Sequence, residues 1–129
     1  MQLFVNLPVK DLDRSKQFFT DLGFSIFGMA EGMASVIIND QTQVMLLAEK
    51  VFASFVTKEV ADPADRTAAV LVLGMENPAQ VDALLEKALA AGGSPAGVEQ
   101  PEGGPRYQRG FADPDGYHWE ALCLVQPAS

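Results

Sequence analysis

The feature that most restricts this chain is that it writes one order of elements twice. A strand, a helix and a run of short strands occupy the residues up to about 60, and the same order starts again near residue 67. The two opening strands begin at Leu3 and Ala68, an offset of about 65 residues. Each copy sets one helix against several strands, so the helix must cover one face of a sheet and leave the other face uncovered. The expected architecture is therefore α+β: two βαβββ modules, about 1–60 and 67–129, within a single domain spanning 1–129. They are expected to form a curved mixed sheet with helices on its convex face and a concave face left for a ligand.

The individual signals support that order. LFVNLPV places Leu3, Val5, Leu7 and Val9 on one face of an extended segment, with Phe4, Asn6 and Pro8 on the other. Asp11 can cap a helix in which Leu12, Phe18, Phe19 and Leu22 recur at helical spacing before Gly23 stops it. FSIFGMA, MASVII and QVMLLA then read as three strands of a meander, broken at Glu31-Gly32 and Asn39-Asp40. Residues 49–66 read as a helical turn and linker. Its apolar knot of Val51, Phe52, Phe55 and Val56 is expected to bury in the core, with a cavity mouth or partner surface as the alternative.

In the second copy the helix is the best-specified element. Asn77 as cap, Pro78 at the first position and Gln80 three residues after the cap start it, and Gly92-Gly93 stops it. Val81, Leu84, Leu85, Ala88 and Leu89 form its apolar stripe. RYQRGFA and YHWEALCLV flank Asp113-Pro114-Asp115-Gly116, in which proline presets a turn and glycine accepts a positive φ, so a β-hairpin is expected there. SPAGVEQPEGGP, between helix and hairpin, has the composition of an exposed loop with a weak strand signal at its start.

Charge and cysteine usage narrow the partners. Nine Lys and Arg against seventeen Asp and Glu give a net charge of −8, which repels nucleic acid and anionic lipid and attracts a cationic ligand. The single Cys123 cannot close an intramolecular disulfide, and the chain opens directly in a strand pattern, so the cytoplasm is expected. No apolar run approaches the roughly 20 residues of a membrane-spanning helix, and no membrane association is expected.

VKDLDRSKQFFTDLGF near the start and DPDGYHWE near the end fit the patterns V-x-D-L-x-x-S-x-x-F-[FY]-x-x-L-G-F and D-P-D-G-x-x-x-E. In their order and separation the chain resembles the vicinal oxygen chelate superfamily of glyoxalases, bleomycin resistance proteins and extradiol dioxygenases. The metal enzymes of that family take a His or Gln from the first strand of each module and a Glu from the last. Here the first-strand positions fall on Phe4 and Ala68, which cannot ligate, and only the carboxylate remains, as Glu120. One carboxylate falls short of the three or so protein ligands a transition metal takes, so no metal and no cofactor are expected.

Strand alternation sets His118 and Glu120 on one face, roughly 7 Å apart along the strand, as a candidate acid–base pair or a pair that satisfies its own hydrogen bonds. The inward-facing ligand-binding candidates are Phe4, Asn6, Val70, Val72, His118, Glu120 and Leu122, with Leu124 sharing the parity. Trp119 and Cys123 fall on the opposite side and should pack under the helices. Arg106, Tyr107 and Arg109 form a basic cluster before the hairpin, read as solvated loop or as a contact for an anionic substrate. The leading expectation is a metal-free protein that binds, and by resemblance sequesters, a small-molecule ligand such as an antibiotic or toxin of cationic character. By the same resemblance it is expected to be a homodimer. The alternatives are a glyoxalase-like lyase or isomerase using Glu120 and His118, with or without a metal recruited through residues such as Glu49, and an interaction module built on the Val51–Val56 knot.

Overall fold

A computed structural model describes residues 1–98 and 103–124. The chain divides into two compact units, Met1–Asp62 and Pro63–Ser129. The first contains β1 (Leu3–Val9), α1 (Leu12–Asp21), β2 (Ser25–Ala30), β3 (Met33–Asn39), β4 (Thr42–Ala48) and the short α2 (Glu49–Ala53). The second contains β5 (Val70–Gly74), α3 (Pro78–Ala90), β6 (Ser94–Ala96), β7 (Arg106–Ala112) and β8 (His118–Leu124). The α+β class and the twofold βαβββ order thus stand, and the strands sort into two four-stranded mixed sheets, ordered β1-β4-β3-β2 and β5-β8-β7-β6.

In both sheets the first strand runs parallel to the last, and the remaining pairs are antiparallel. The helix supplies the crossover between parallel neighbours that a tight turn cannot provide. Register then fixes the faces. Val5 lies opposite Val44 and Leu7 opposite Leu46, and α1 closes over β2, β3 and β4 with Phe18, Phe19 and Leu22 buried. In the second unit Leu71 lies opposite Trp119 and Leu73 opposite Ala121, beneath the buried Val81, Leu84, Leu85 and Ala88 of α3. Trp119 stacks on Phe111 with centroids 6.3 Å apart and planes within 2°, and Cys123 is buried. Each such side chain contributes on the order of 1.5–3 kcal/mol by leaving water.

The caps form as read. Asp11 accepts from the Arg14 amide at 3.0 Å and Asn77 from the Gln80 amide at 2.9 Å. Gln80 reaches back one residue further than a capping box requires, accepting from the Glu76 amide at 3.0 Å. Gly23 and Gly92 end the helices with φ of 102° and 107°, a region glycine enters without steric cost.

Three expectations need correction. Ala68 precedes β5, so the second module's open-face first-strand positions are Val70 and Val72, which are equally unable to ligate. Leu89, at the margin of the α3 stripe, is 38% exposed. The Val51–Val56 knot does not bury: Phe55 is 64% and Val56 39% exposed, and with Phe52, Lys58 and Val60 they line a cavity of about 470 Å³. The five-residue α2 is too short to press both ends of the knot against one sheet.

Candidate functional site

The open face of the second sheet carries the chemistry. Val70 lies opposite His118 and Val72 opposite Glu120 across the β5/β8 ladder. Across the β7/β8 ladder Gly110 lies opposite Glu120 and Gln108 opposite Leu122. The structure therefore brings Val70, Val72, His118, Glu120 and Leu122 together on one strand pair. Phe4 and Asn6 lie on the open face of the first sheet, opposite Gln43 and Met45. Val70 and Val72 are 44% and 48% exposed, an apolar surface beside a polar centre.

That centre is a chain of three side chains. Gln108 Nε2 donates to Glu120 Oε1 at 2.7 Å, and His118 Nε2 stands 2.5 Å from Glu120 Oε2. Rotamer choice closes the roughly 7 Å strand spacing, because both side chains lean along the strand toward each other. Glu120 is buried, with Gln108 donating to one carboxylate oxygen and the His118 ring nitrogen against the other. Gln108 Oε1 is buried without a hydrogen-bond partner among the described residues. Its amide cannot flip to relieve this, since Oε1 would then face Glu120 Oε1, two acceptors at bonding distance.

Two glycines make room for the carboxylate. A Cβ on Gly97 would lie 2.6 Å from Glu120 Oε2 and 3.2 Å from His118 Nε2, and Gly97 holds a φ of +88°. A Cβ on Gly110 would lie 2.8 Å from the same oxygen and 2.6 Å from the Ala96 carbonyl. Backbone therefore presses on Glu120 from two sides.

The hairpin turn anchors the start of β8. Asp113 Oδ1 accepts from the amides of Asp115, Gly116 and Tyr117 at 3.0, 3.1 and 3.0 Å. Its Oδ2 accepts from the Trp119 indole at 3.0 Å. Burial pushes the Asp113 carboxyl up to about 6, against the Trp119 and backbone donors, which favour the ionised form. Gly116, with φ of +105°, lets the backbone at Pro63 and Ala64 lie directly on the turn.

The basic cluster has a different place from either one expected. Arg106, Tyr107 and Arg109 belong to β7 rather than to a loop. Tyr107 Oη and Arg109 Nη1 both donate to Asp82 Oδ1 of α3, at 2.7 and 2.8 Å. The Tyr107 hydroxyl and the Arg109 guanidinium hold Asp82 below the usual carboxylate range, so these groups clamp helix to sheet and do not offer an anion site on the open face.

Sequence reasoning missed Gln108, Gly97 and Gly110, and read Asp113 only as a turn residue. Alternation along RYQRGFA puts Gln108 opposite in parity to Tyr107 and Arg109, a signal available beforehand. The two glycines' close approach to Glu120 is tertiary and leaves no local trace. As for a metal, no group of three or more His, Cys, Asp and Glu side chains gathers among the described residues. Glu49 opens α2 in the first unit as an exposed residue. Phe4, Val70 and Val72 offer no donor atoms, and the remaining carboxylate is already engaged by Gln108 and His118, so the residues do not fit the ion used by metal-dependent relatives.

No helix among the described residues is long and apolar enough to cross a membrane. A search of curated proteins gave no match. Among solved structures, hypothetical protein SA1046 from S. aureus superposes with a TM-score of 0.82 at 29% identity, covering 96% of this chain and 94% of that one. A glyoxalase-related enzyme from Fulvimarina pelagi gives 0.80 at 22% identity, covering 100% and 92%. TnmS3, an antibiotic binding protein from Streptomyces sp. CB03234, gives 0.66 at 21% identity, covering 97% and 96%. The family model for the Glyoxalase/Bleomycin resistance protein/Dioxygenase superfamily matches residues 2–121, and the chain belongs to that superfamily.

Proposed function

We propose that this protein binds a small molecule without a resident metal, on the open face of the second sheet, and acts by sequestering it. The observation that carries the reading is the pairing of exposed Val70 and Val72 with His118 and Glu120. An apolar body lying along β5 meets a polar group on β8 at both positions, the make-up of a small-molecule site. The donor set supports the absence of a resident metal, and the net charge of −8 favours a cationic ligand. TnmS3, a structural neighbour, is an antibiotic binding protein.

Thermal-shift screening with cationic glycopeptides and neutral aromatic antibiotics tests this directly, since a ligand that binds only the folded state raises its stability. A hit should disappear in Val72→Asp, which sets a second carboxylate opposite Glu120. Absence of stabilisation by every compound would remove the reading. By resemblance two chains pair, and native mass measurement should then report a dimer.

A second reading is favoured by the 2.5 Å approach of His118 to Glu120: a lyase or isomerase in which this pair moves a proton. Metal analysis separates the binding protein from a metal-dependent form of that enzyme. A stoichiometric transition metal lost in Glu120→Ala supports the enzyme, and none retained after metal addition supports the binding protein.

A further inference from the structure

Both nitrogen-bearing side chains of the polar centre turn toward the same carboxylate. Facing an ionised carboxylate, which only accepts, His118 Nε2 is placed to carry the hydrogen of their 2.5 Å contact. A neutral imidazole protonated at Nε2 carries its lone pair on Nδ1, and Nδ1 has no hydrogen-bond partner among the described residues. Glu120 itself is poorly placed to meet a ligand. Gln108 and His118 occupy its oxygens, the backbone at Gly97 and Gly110 presses on Oε2, and its side chain is 9% exposed against 21% for His118.

We propose that His118 Nδ1 is the ligand-contacting acceptor of this site, and that Glu120 is a positioning residue that fixes the imidazole tautomer from behind. Gln108 holds Glu120 in place from β7. His118 Nε2 and Gln108 Nε2 both face the carboxylate, so the ring nitrogen left for a ligand is Nδ1, a lone pair when the imidazole is neutral. The complementary ligand presents an N–H donor, and a protonated amine or amidine is the best match because the charge of Glu120 lies one ring behind the lone pair. Acceptor-only groups set lone pair against lone pair. This inference rests on the ligand-binding reading above and specifies its chemistry.

The test uses the full chain with ring-nitrogen-labelled histidine at about pH 9, above the usual imidazole range. Long-range nitrogen–proton correlations should show His118, the chain's one histidine, as the Nε2–H tautomer. In Glu120→Gln the new amide oxygen accepts from Gln108 and its NH₂ faces the ring, so the tautomer should invert to Nδ1–H. A merely structural role for Glu120 would leave the tautomer unchanged. Benzylamine and benzamidine should bind the wild type about tenfold more tightly than benzoate or acetophenone. In Glu120→Gln that preference should shrink to about threefold or less. The wild-type tautomer and probe series require no variant. An Nδ1–H tautomer in the wild type, or none of the expected inversion, overturns the proposal. Equal binding of all four probes overturns it while leaving the ligand surface intact, and binding of none overturns both.

Discussion

The two modules share strand order, helix placement and register, yet their open faces differ in kind. At the positions of Val70, Val72, His118 and Glu120, the first module has Phe4, Asn6, Gln43 and Met45. There Ser35 Oγ donates to Gln43 Oε1 at 2.6 Å, Asn6 is exposed and Met45 is buried. In the second module a carboxylate is met by Gln108 and His118, and one buried acceptor, Gln108 Oε1, has no hydrogen-bond partner among the described residues. Such an atom costs on the order of 1–3 kcal/mol. A repeated backbone thus fixes where a face lies, and four side chains decide whether that face is inert or chemically committed.

The meander turns sharpen the contrast most. Asp113 receives three amides and an indole, whereas Asn39, at the equivalent β3/β4 turn, receives only the exposed Gln41 amide at 2.8 Å. Asp113→Ala is expected to cost about 4 kcal/mol in urea denaturation, and Asn39→Ala about 0.5. Equal costs would dissolve the distinction.

Proton linkage gives the next largest effect. The folded-state carboxyl of Asp113 is raised to about 6 from 3.8, so the native state binds this proton more tightly than the unfolded chain. The stability it contributes is complete below about pH 4 and is lost as pH rises through about 6, on the order of 3 kcal/mol in total. The stability of the wild type relative to Asp113→Asn should therefore increase as pH falls from 7 to 4. A flat difference across that range would remove burial as the dominant influence on this group.

Glycines test the two sheets against each other. Gly28 of β2 has open space where a Cβ would go, while the Cβ of Gly110 would strike Glu120 and the Ala96 carbonyl. Gly110→Ala should cost about 2 kcal/mol, and Gly28→Ala should fall within about 0.5 kcal/mol of neutral. The smallest effect belongs to the Asp82–Arg109 pair, whose side chains are 43% and 40% exposed. Arg109→Met should lower stability by about 0.5 kcal/mol and leave ligand stabilisation unchanged, as befits a surface clamp away from the open face.

What the sequence disclosed follows the range of the interactions concerned. The Asn77-Pro78 helix start, the Asp113–Gly116 turn and the alternation that pairs His118 with Glu120 are set within a few residues, and each could be read from its own segment. The exposure of Phe55 and Val56, the clamp that takes Tyr107 and Arg109 to Asp82, and the pressure of Gly97 on Glu120 depend on partners between about 23 and 27 positions distant or on the length of a neighbouring element. Gln108 lies between these cases. Its parity was legible, but not its contact with Glu120, 12 positions along the chain.

Trp119 is the chain's only tryptophan, buried against Phe111, hydrogen-bonded to Asp113 and immediately preceding Glu120. The protein therefore carries its own optical probe. Its emission should lie toward the blue, in keeping with a dry environment, and change in intensity as the Asp113 proton comes and goes near pH 6. A ligand settling on the reverse side of the same strand would disturb that light without any attached dye.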